Sequence, residues 1–238
     1  HVFLKGSAYI ALKRFNDLGE RMIGDIDVLV AKSDVDKAIK LSQKIGYFSN
    51  AEFIFDTKHH PRMNHPKKLF SLEIHNRLLK KKNILLKPEN FLKRKISTKS
   101  NLKIPSKIDF LAHTIYNFQI NDFGNLKASF SLRSLYDILI LKPEINDMLE
   151  SKHSKYINNF FLISDSIGVT NTNIKQNFFN RIYLCRFKAK TQNKIFYLFD
   201  NFICNQINLA RTRINNFFRL FTSSNYRSYL LFKIKQKI

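Results

Sequence analysis

Apolar positions along the first eighty residues switch between two periods. Val2-Phe3-Leu4-Lys5 reads as a short strand ending at Gly6-Ser7. Ala8 to Leu18 follows with Ile10, Leu12, Phe15 and Leu18 on one side of a helix. Gly19-Glu20-Arg21 is a turn signal, and Ile26 to Ala31 returns to a strand pattern. Ser33-Asp34-Val35-Asp36 predicts a helix start, with Ser33 as the cap and the two acids at the positive end of the dipole. That helix runs through Ala38, Ile39, Leu41 and Ile45 to a stop at Gly46. Tyr47-Phe48 with Glu52 to Phe55 predicts a third strand, and Leu69 to His75 a fourth. Between them lies the basic loop Lys58-His59-His60-Pro61-Arg62-Met63-Asn64-His65-Pro66-Lys67-Lys68. In the fourth strand, alternation sets Phe70, Leu72 and Ile74 on one face and Ser71, Glu73 and His75 on the other. The order β-α-β-α-β-β predicts a small mixed sheet with helices packed on one side.

The period then changes for good. Lys80 to Ser106 is a Lys-rich connector with weak helical signal, which places a boundary near residue 100. Ile108, Leu111, Ala112, Ile115, Tyr116 and Phe118 follow helical spacing, as do Leu132, Leu135, Tyr136, Ile138, Leu139 and Leu141 up to Pro143. Further helices are predicted over Ile145 to Ile163, Ile174 to Phe187 and Lys194 to Phe221. The expected class is α+β, with residues 1–100 holding the sheet and residues 101–238 an all-α bundle. The stripe Ile195, Phe199, Ile203 and Ile207 is expected to pack against that bundle, a membrane-surface helix being the alternative.

Composition narrows the picture. Apolar residues make up 44% of 238, ordinary for a globular chain, and 23 Phe with no Trp mean that Phe and Ile supply much of the core. Cys185 and Cys204 are too few for a disulfide framework and read as reduced thiols of a cytoplasmic protein. No run of about twenty apolar residues predicts a membrane span. The chain opens at His1 straight into a strand, so residues are expected to precede it. The net charge of +23 fits a polyanionic partner such as RNA, or an anionic membrane surface. From Ser166 onward the one acidic residue is Asp200. An AT-biased genome also yields chains rich in Lys, Asn, Ile and Phe.

The chemistry concentrates in Gly24-Asp25-Ile26-Asp27-Val28-Leu29-Val30. Strand alternation points Asp25 and Asp27 to one side, with Ile26 and Val28 in apolar packing. Two carboxylates on one face, a third at Glu73 and a Gly-Ser turn leading into a helix are the parts a nucleotidyl transfer needs. His59, His60, His65 and His75 lack the spacing of zinc sites and read as a solvated basic loop. His75 stands apart because it shares a strand face with Glu73. His113 lies in an apolar helical stripe and reads as a core histidine. The cysteines show no nucleophile arrangement.

These pieces resemble the minimal nucleotidyltransferases of the polymerase-β-like superfamily. More narrowly they resemble the uncharacterised bacterial nucleotidyltransferase family marked by Leu-Lys-Gly, an Arg shortly before Asp-Ile-Asp-Leu-Leu-Val, and a later Asp-x-His. Here those elements read Leu4-Lys5-Gly6, Arg21 with Gly24 to Val30, and Leu72-Glu73-Ile74-His75. Phe110-Leu111-Ala112-His113 and Leu135-Tyr136-Asp137-Ile138-Leu139 extend the likeness to about residue 142. The resemblance implies two Mg2+ ions (or Mn2+) on Asp25, Asp27 and Glu73, with NTP as substrate. It also implies phosphate contacts from Gly6 and Ser7 and added charge from Lys5 and Arg21. His75 is an accessory candidate that orients Glu73 or touches substrate. The implied reaction moves NMP to a hydroxyl of RNA, a protein or a small molecule, with release of pyrophosphate. The basic C-terminal half would hold RNA if RNA is the acceptor. The alternative is a catalytically inactive module of the same fold that binds RNA or a partner protein. Two departures stand out. Glu73 replaces the family's usual Asp, which moves the carboxylate by more than about 1 Å. The spacing from Ser7 to Asp25 is also long beside the smallest enzymes.

Overall fold

A computed structural model of the chain describes residues 1–13, 17–49, 58–80, 86–140, 155–172 and 174–235. Two compact units emerge, one of the described residues up to Leu184 and one of those from Cys185 onward. The first unit is built on a three-stranded sheet of β1 (Val2–Leu4), β2 (Asp25–Leu29) and β3 (Ser71–His75), in the order β1-β2-β3. β1 runs antiparallel to β2 with Leu4 opposite Asp27, and β3 runs parallel to it with Asp27 opposite Glu73. The sheet is therefore mixed, as the β-α-β pattern requires: a parallel pair needs a crossover between its strands.

α1 (Lys5–Ala11) starts without a connecting loop. Lys5 takes a left-handed φ of 49° and turns the strand directly into the helix. Gly6-Ser7 thus occupies the first turn of α1, three residues ahead of the predicted helix start, and is not a free turn. Backbone geometry at Lys5 made the difference, since nothing in the apolar period announces a left-handed residue.

α2 (Val35–Lys44) packs Val35, Ala38 and Ile39 on the sheet face that carries Val28, Leu72 and Ile74. It begins two residues after the expected cap. Residues Lys32–Asp34 form a 3-10 turn, and no side chain caps α2. Gly46 ends it at φ 89°, where a Cβ would lie 2.7 Å from His65 Nε2. The other sheet face carries Leu4, Asp27 and Leu29 and packs on Ala8 and Tyr9 of α1 and on later helices.

The predicted third strand reduces to one bridge, Phe48 with Asn64, and Glu52 to Phe55 lie outside the described residues. The outer edge of β3 is instead paired with the segment from Lys58 to Asn64. Met63 and Leu72 exchange backbone hydrogen bonds of 2.9 and 2.8 Å, and His60 N donates to Ile74 O at 2.8 Å. The basic loop is therefore a sheet neighbour, which satisfies backbone groups that an open edge would leave exposed.

The connector is more ordered than its composition suggests. It holds α3 (Pro88–Lys93) and a hairpin of β4 (Ile96–Ser97) with β5 (Lys103–Ile104). α4 (Lys107–Tyr116) is capped by Ser106 Oγ, which accepts from Asp109 N at 3.3 Å. It runs on into a π-helical turn, Asn117–Asn121. α5 (Gly124–Lys127), α6 (Leu132–Ile140) and α7 (Lys155–Ser166) complete the layer. One core joins both sides of residue 100: Val2, Leu4 and Leu29 of the sheet pack in one cluster with Phe110, Ile138 and Phe161. Tyr9 and Phe110 rings stand 4.2 Å apart. Each such side chain contributes about 1.5–3 kcal/mol by leaving water.

α8 (Phe178–Gln192) contains the division between the units. The second unit then holds α9 (Lys194–Thr222), capped by Asn193 Oδ1 accepting from Phe196 N, and α10 (Ser224–Lys235). Within it Asp200 is buried between Arg186, at 2.6 Å, and Lys190, at 2.8 Å. In the stripe expected to pack on the bundle, Ile195 is 79% and Phe199 61% exposed. The residues of α9 that pack inward are Asp200 and Cys204. No described helix is long and apolar enough to cross a membrane.

Candidate active site

The parallel pairing of β2 and β3 sets Asp27 against Glu73, with Asp25 and His75 on the same face one alternation away along their strands. Asp27 and His75 are each 1% exposed and Glu73 7%. His75 Nε2 lies 2.7 Å from Asp27 Oδ1 and 3.4 Å from Glu73 Oε2. His75 Nδ1 is buried with no hydrogen-bond partner, so Nε2 carries the proton given to Asp27. Lys5 Nζ lies 2.5 Å from the same Asp27 oxygen. Its left-handed backbone is what aims it there, at a cost of about 1–3 kcal/mol. Ser7 Oγ donates to Leu4 O at 2.6 Å and also lies 3.3 Å from Asp27 O. Ser7 thus ties the helix start to both strands.

Three residues of the basic segment join this face, and the charge pattern alone did not reveal them. Arg62 Nη2 reaches Asp25 Oδ2 at 3.1 Å and Glu73 Oε1 at 3.3 Å, bridging carboxylates that the sheet leaves apart. His59 faces His75 across the edge pairing, with ring centroids 5.0 Å apart and Nε2 3.8 Å from Glu73 Oε2. Lys58 lies within electrostatic reach of Lys5, Asp27 and Glu73, and burial with the Lys5 charge lowers its pKa. No local pattern announces them: Lys58 to Met63 shows no apolar alternation, and its pairing with β3 slips by one residue between His59–His75 and Met63–Leu72.

Burial works to raise the Asp27 carboxyl, but the His75 hydrogen bond and the Lys5 ammonium outweigh it and hold it well below the carboxylate range. Glu73 is drawn down to about 2, first by its hydrogen bond with His75 and then, against burial, by His59. Both groups are therefore ionised in a largely water-excluded pocket, compensated by nearby cations.

The remaining predicted residues divide. Gly6 packs where a Cβ would lie 2.9 Å from Ile23 Cγ1 and 3.6 Å from Arg21 Nη1. Arg21 is turned away from the carboxylates. Its Nε and Nη2 form a bidentate pair with Asp137 at 2.9 and 3.1 Å, and its Nη1 donates to Met22 O. His60 and His65 stay outside the cluster. His60 Nδ1 bonds Pro61 O, and His65 stacks edge-on against Tyr47. His113 is buried against Phe91, with its pKa pushed down to about 3 by burial and its Nε2 without a partner.

Among the described residues, Asp27, Glu73 and His75 form a group whose ligand atoms all lie within 4.8 Å of one another. Two ionised carboxylate oxygens suit a hard divalent cation. The protonated Nε2 of His75 is better placed to orient Asp27 than to bind. The donor set therefore fits the ion chemistry that the sequence motifs imply.

No curated protein and no solved structure matches the chain. A family model does, over residues 1–148, and its description is that of an uncharacterised nucleotidyltransferase. That span contains the sheet, the carboxylate cluster and the Arg21–Asp137 pair, so the chain belongs to this family of uncharacterised nucleotidyltransferases.

Proposed function

We propose that the cluster transfers a nucleoside monophosphate from an NTP to a hydroxyl of RNA, a protein or a small molecule. The acceptor oxygen bonds to the α-phosphorus, the bond to the β-phosphate oxygen breaks, and pyrophosphate leaves with that electron pair. The observation that carries this reading is the in-register placement of ionised Asp27 and Glu73 on adjacent strands beside His75. Asp25, Asp27 and Glu73 are the residues that would hold two Mg2+ ions, or Mn2+. Such ions, when bound, acidify an attacking hydroxyl and neutralise phosphate charge. His75 fixes the Asp27 carboxylate in one orientation. Lys5 and Arg62 have side chains 26% and 55% exposed, long enough to turn from the carboxylates to a triphosphate. Gly6 and Ser7 serve by shaping the turn that aims Lys5 and by offering backbone N–H groups to the nucleotide. Arg21 acts as a brace to Asp137. An NTP substrate implies a cytoplasmic site of action.

A second reading is an inactive module that binds RNA or a partner protein. One observation favours it: Lys5 and Arg62 already neutralise the carboxylates, as a scaffold without ions would need. The two part in an assay with the four α-labelled NTPs and magnesium, with total RNA and then cell extract as acceptor. Label transfer lost in Asp25→Ala and Asp27→Ala supports nucleotidyl transfer, and the labelled species names the acceptor. Absence of both transfer and magnesium-dependent NTP binding sinks it in favour of the module.

A further inference from the structure

Phe123 sits where a bulky side chain has to be held by force. Its φ of 62° lies in the left-handed region that residues with a large side chain avoid. The segments on either side fix it there. The π-helical turn Asn117–Asn121 runs into Asp122, whose N donates to Asn117 O at 3.2 Å. On the other side, Gly124 lies so close to Phe118 that a Cβ would meet the ring at 2.5 Å. Lys80 adds a third restraint. Its N donates to Asn121 Oδ1 at 2.8 Å and its Nζ to Asn121 O at 3.0 Å, and the same Nζ stands 5.7 Å from the centroid of the Phe123 ring. Packing does not account for the position: among the described residues, Phe123 belongs to neither apolar cluster of the first unit. Strained residues and π-helical turns gather at ligand sites, because only a gain in binding offsets their cost.

The ring borders the carboxylate site. At the end of β3, Lys58 O accepts from Asn76 N and Arg77 N, both at 3.1 Å, and Lys80 follows three residues later. Asp122 lies within electrostatic reach of Lys80, Lys58 and Lys5, and Lys5 is 2.5 Å from Asp27. We infer that Phe123 is a stacking platform for the base of the NTP whose phosphates are held at Lys5 and the carboxylates. Every base offers a π-face, and a ring already fixed by its own backbone loses little freedom when a base lands on it. Lys80 occupies one face of the ring, so the base takes the other. The inference rests on the nucleotidyl-transfer reading for the identity of the ligand, and inorganic tripolyphosphate separates the two, since it has the phosphates and no base.

The test titrates the full chain with each of the four NTPs and with tripolyphosphate, magnesium present throughout. Wild type should bind the preferred NTP at least about tenfold more tightly than tripolyphosphate. Phe123→Gly removes the ring and suits the left-handed backbone. It should bind that NTP about tenfold more weakly, and tripolyphosphate within about twofold of wild type. The chain has no Trp, so Phe123→Trp places a single indole at the platform. Its fluorescence should be quenched by the NTP and not by tripolyphosphate, and its NTP affinity should match or exceed that of wild type. The inference is overturned if Phe123→Gly binds NTP as wild type does, if it loses tripolyphosphate as fully as NTP, or if it loses only RNA. An indole blind to the NTP overturns it as well. Wild type that binds neither NTP nor tripolyphosphate removes the nucleotidyl-transfer reading and this inference together, whereas equal binding of the two removes the inference alone.

Discussion

Arg21 offers the sharpest test, because charge alone suggests phosphate binding and the packing says otherwise. The residue is 9% exposed and its partner Asp137 5%, and the two are joined by a bidentate pair. Arg21→Met keeps the apolar stem and leaves Asp137 buried without its cation. Breaking one side of such a pair costs about 3–5 kcal/mol. A ceiling comes from protonation: neutralising an ordinary aspartate at pH 7 costs about 4 kcal/mol, so a stranded carboxyl costs no more. We therefore expect a loss of about 3–4 kcal/mol at pH 7, read from urea unfolding at constant m-value. In the wild type, burial already pushes the Asp137 carboxyl up against the pull of Arg21. Without Arg21 the folded state holds a proton that the unfolded state releases, so stability falls as pH rises. The loss should accordingly shrink by about 1.4 kcal/mol for each unit the pH is lowered from 7 toward 5. Arg21→Met/Asp137→Leu should recover at least half of it, since both charges are gone. A loss under about 1 kcal/mol, or one that ignores pH, would refute the reasoning. So would an effect confined to NTP affinity.

Other outcomes follow from the same geometry. Gly124→Ala puts a Cβ 2.5 Å from Phe118 Cε1 and should cost about 1–3 kcal/mol in urea unfolding. Gly24→Ala meets nothing within 4 Å and should change stability by less than about 0.5 kcal/mol. Asp27 and Glu73 have lowered folded-state pKa values, so their stabilisation is complete above the unfolded values of 3.8 and 4.5 and is lost as pH falls toward 2. Acid titration by circular dichroism in the presence of a chelator should show that loss, and Glu73→Gln should flatten it. Arg62 has a side chain 55% exposed and sits at the mouth of the cluster. Arg62→Ala should leave stability within about 0.5 kcal/mol while weakening NTP binding about tenfold, measured by titration with magnesium present.

Several elements were legible because their causes are local. The helix over Lys194–Thr222 is legible to within a residue, since an apolar period acts over a few positions. The strand carrying Asp25 and Asp27 was equally plain, as was the face shared by Glu73 and His75. The start of α1 was missed by three residues because Lys5 adopts a conformation that bulky residues seldom take. Arg62 and His59 were hidden in a stretch whose charge reads as solvated, although its backbone pairs with β3.

By itself the amino-acid order determined where the chain alternates, where it coils, and that two carboxylates share a strand face. Those properties arise from backbone sterics and side-chain spacing over a single turn or pleat. Only the tertiary structure decided which distant groups meet: Asp27 with Glu73 by strand register, Arg21 with Asp137 across 116 positions, Arg62 with two carboxylates. It also decided that Asp200 and Cys204 are the buried residues of α9, with Asp200 held by Arg186 and Lys190. Periodicity says that a helix has an apolar side. What that side touches is set by the free energy of closing and packing the whole chain, which no local window contains.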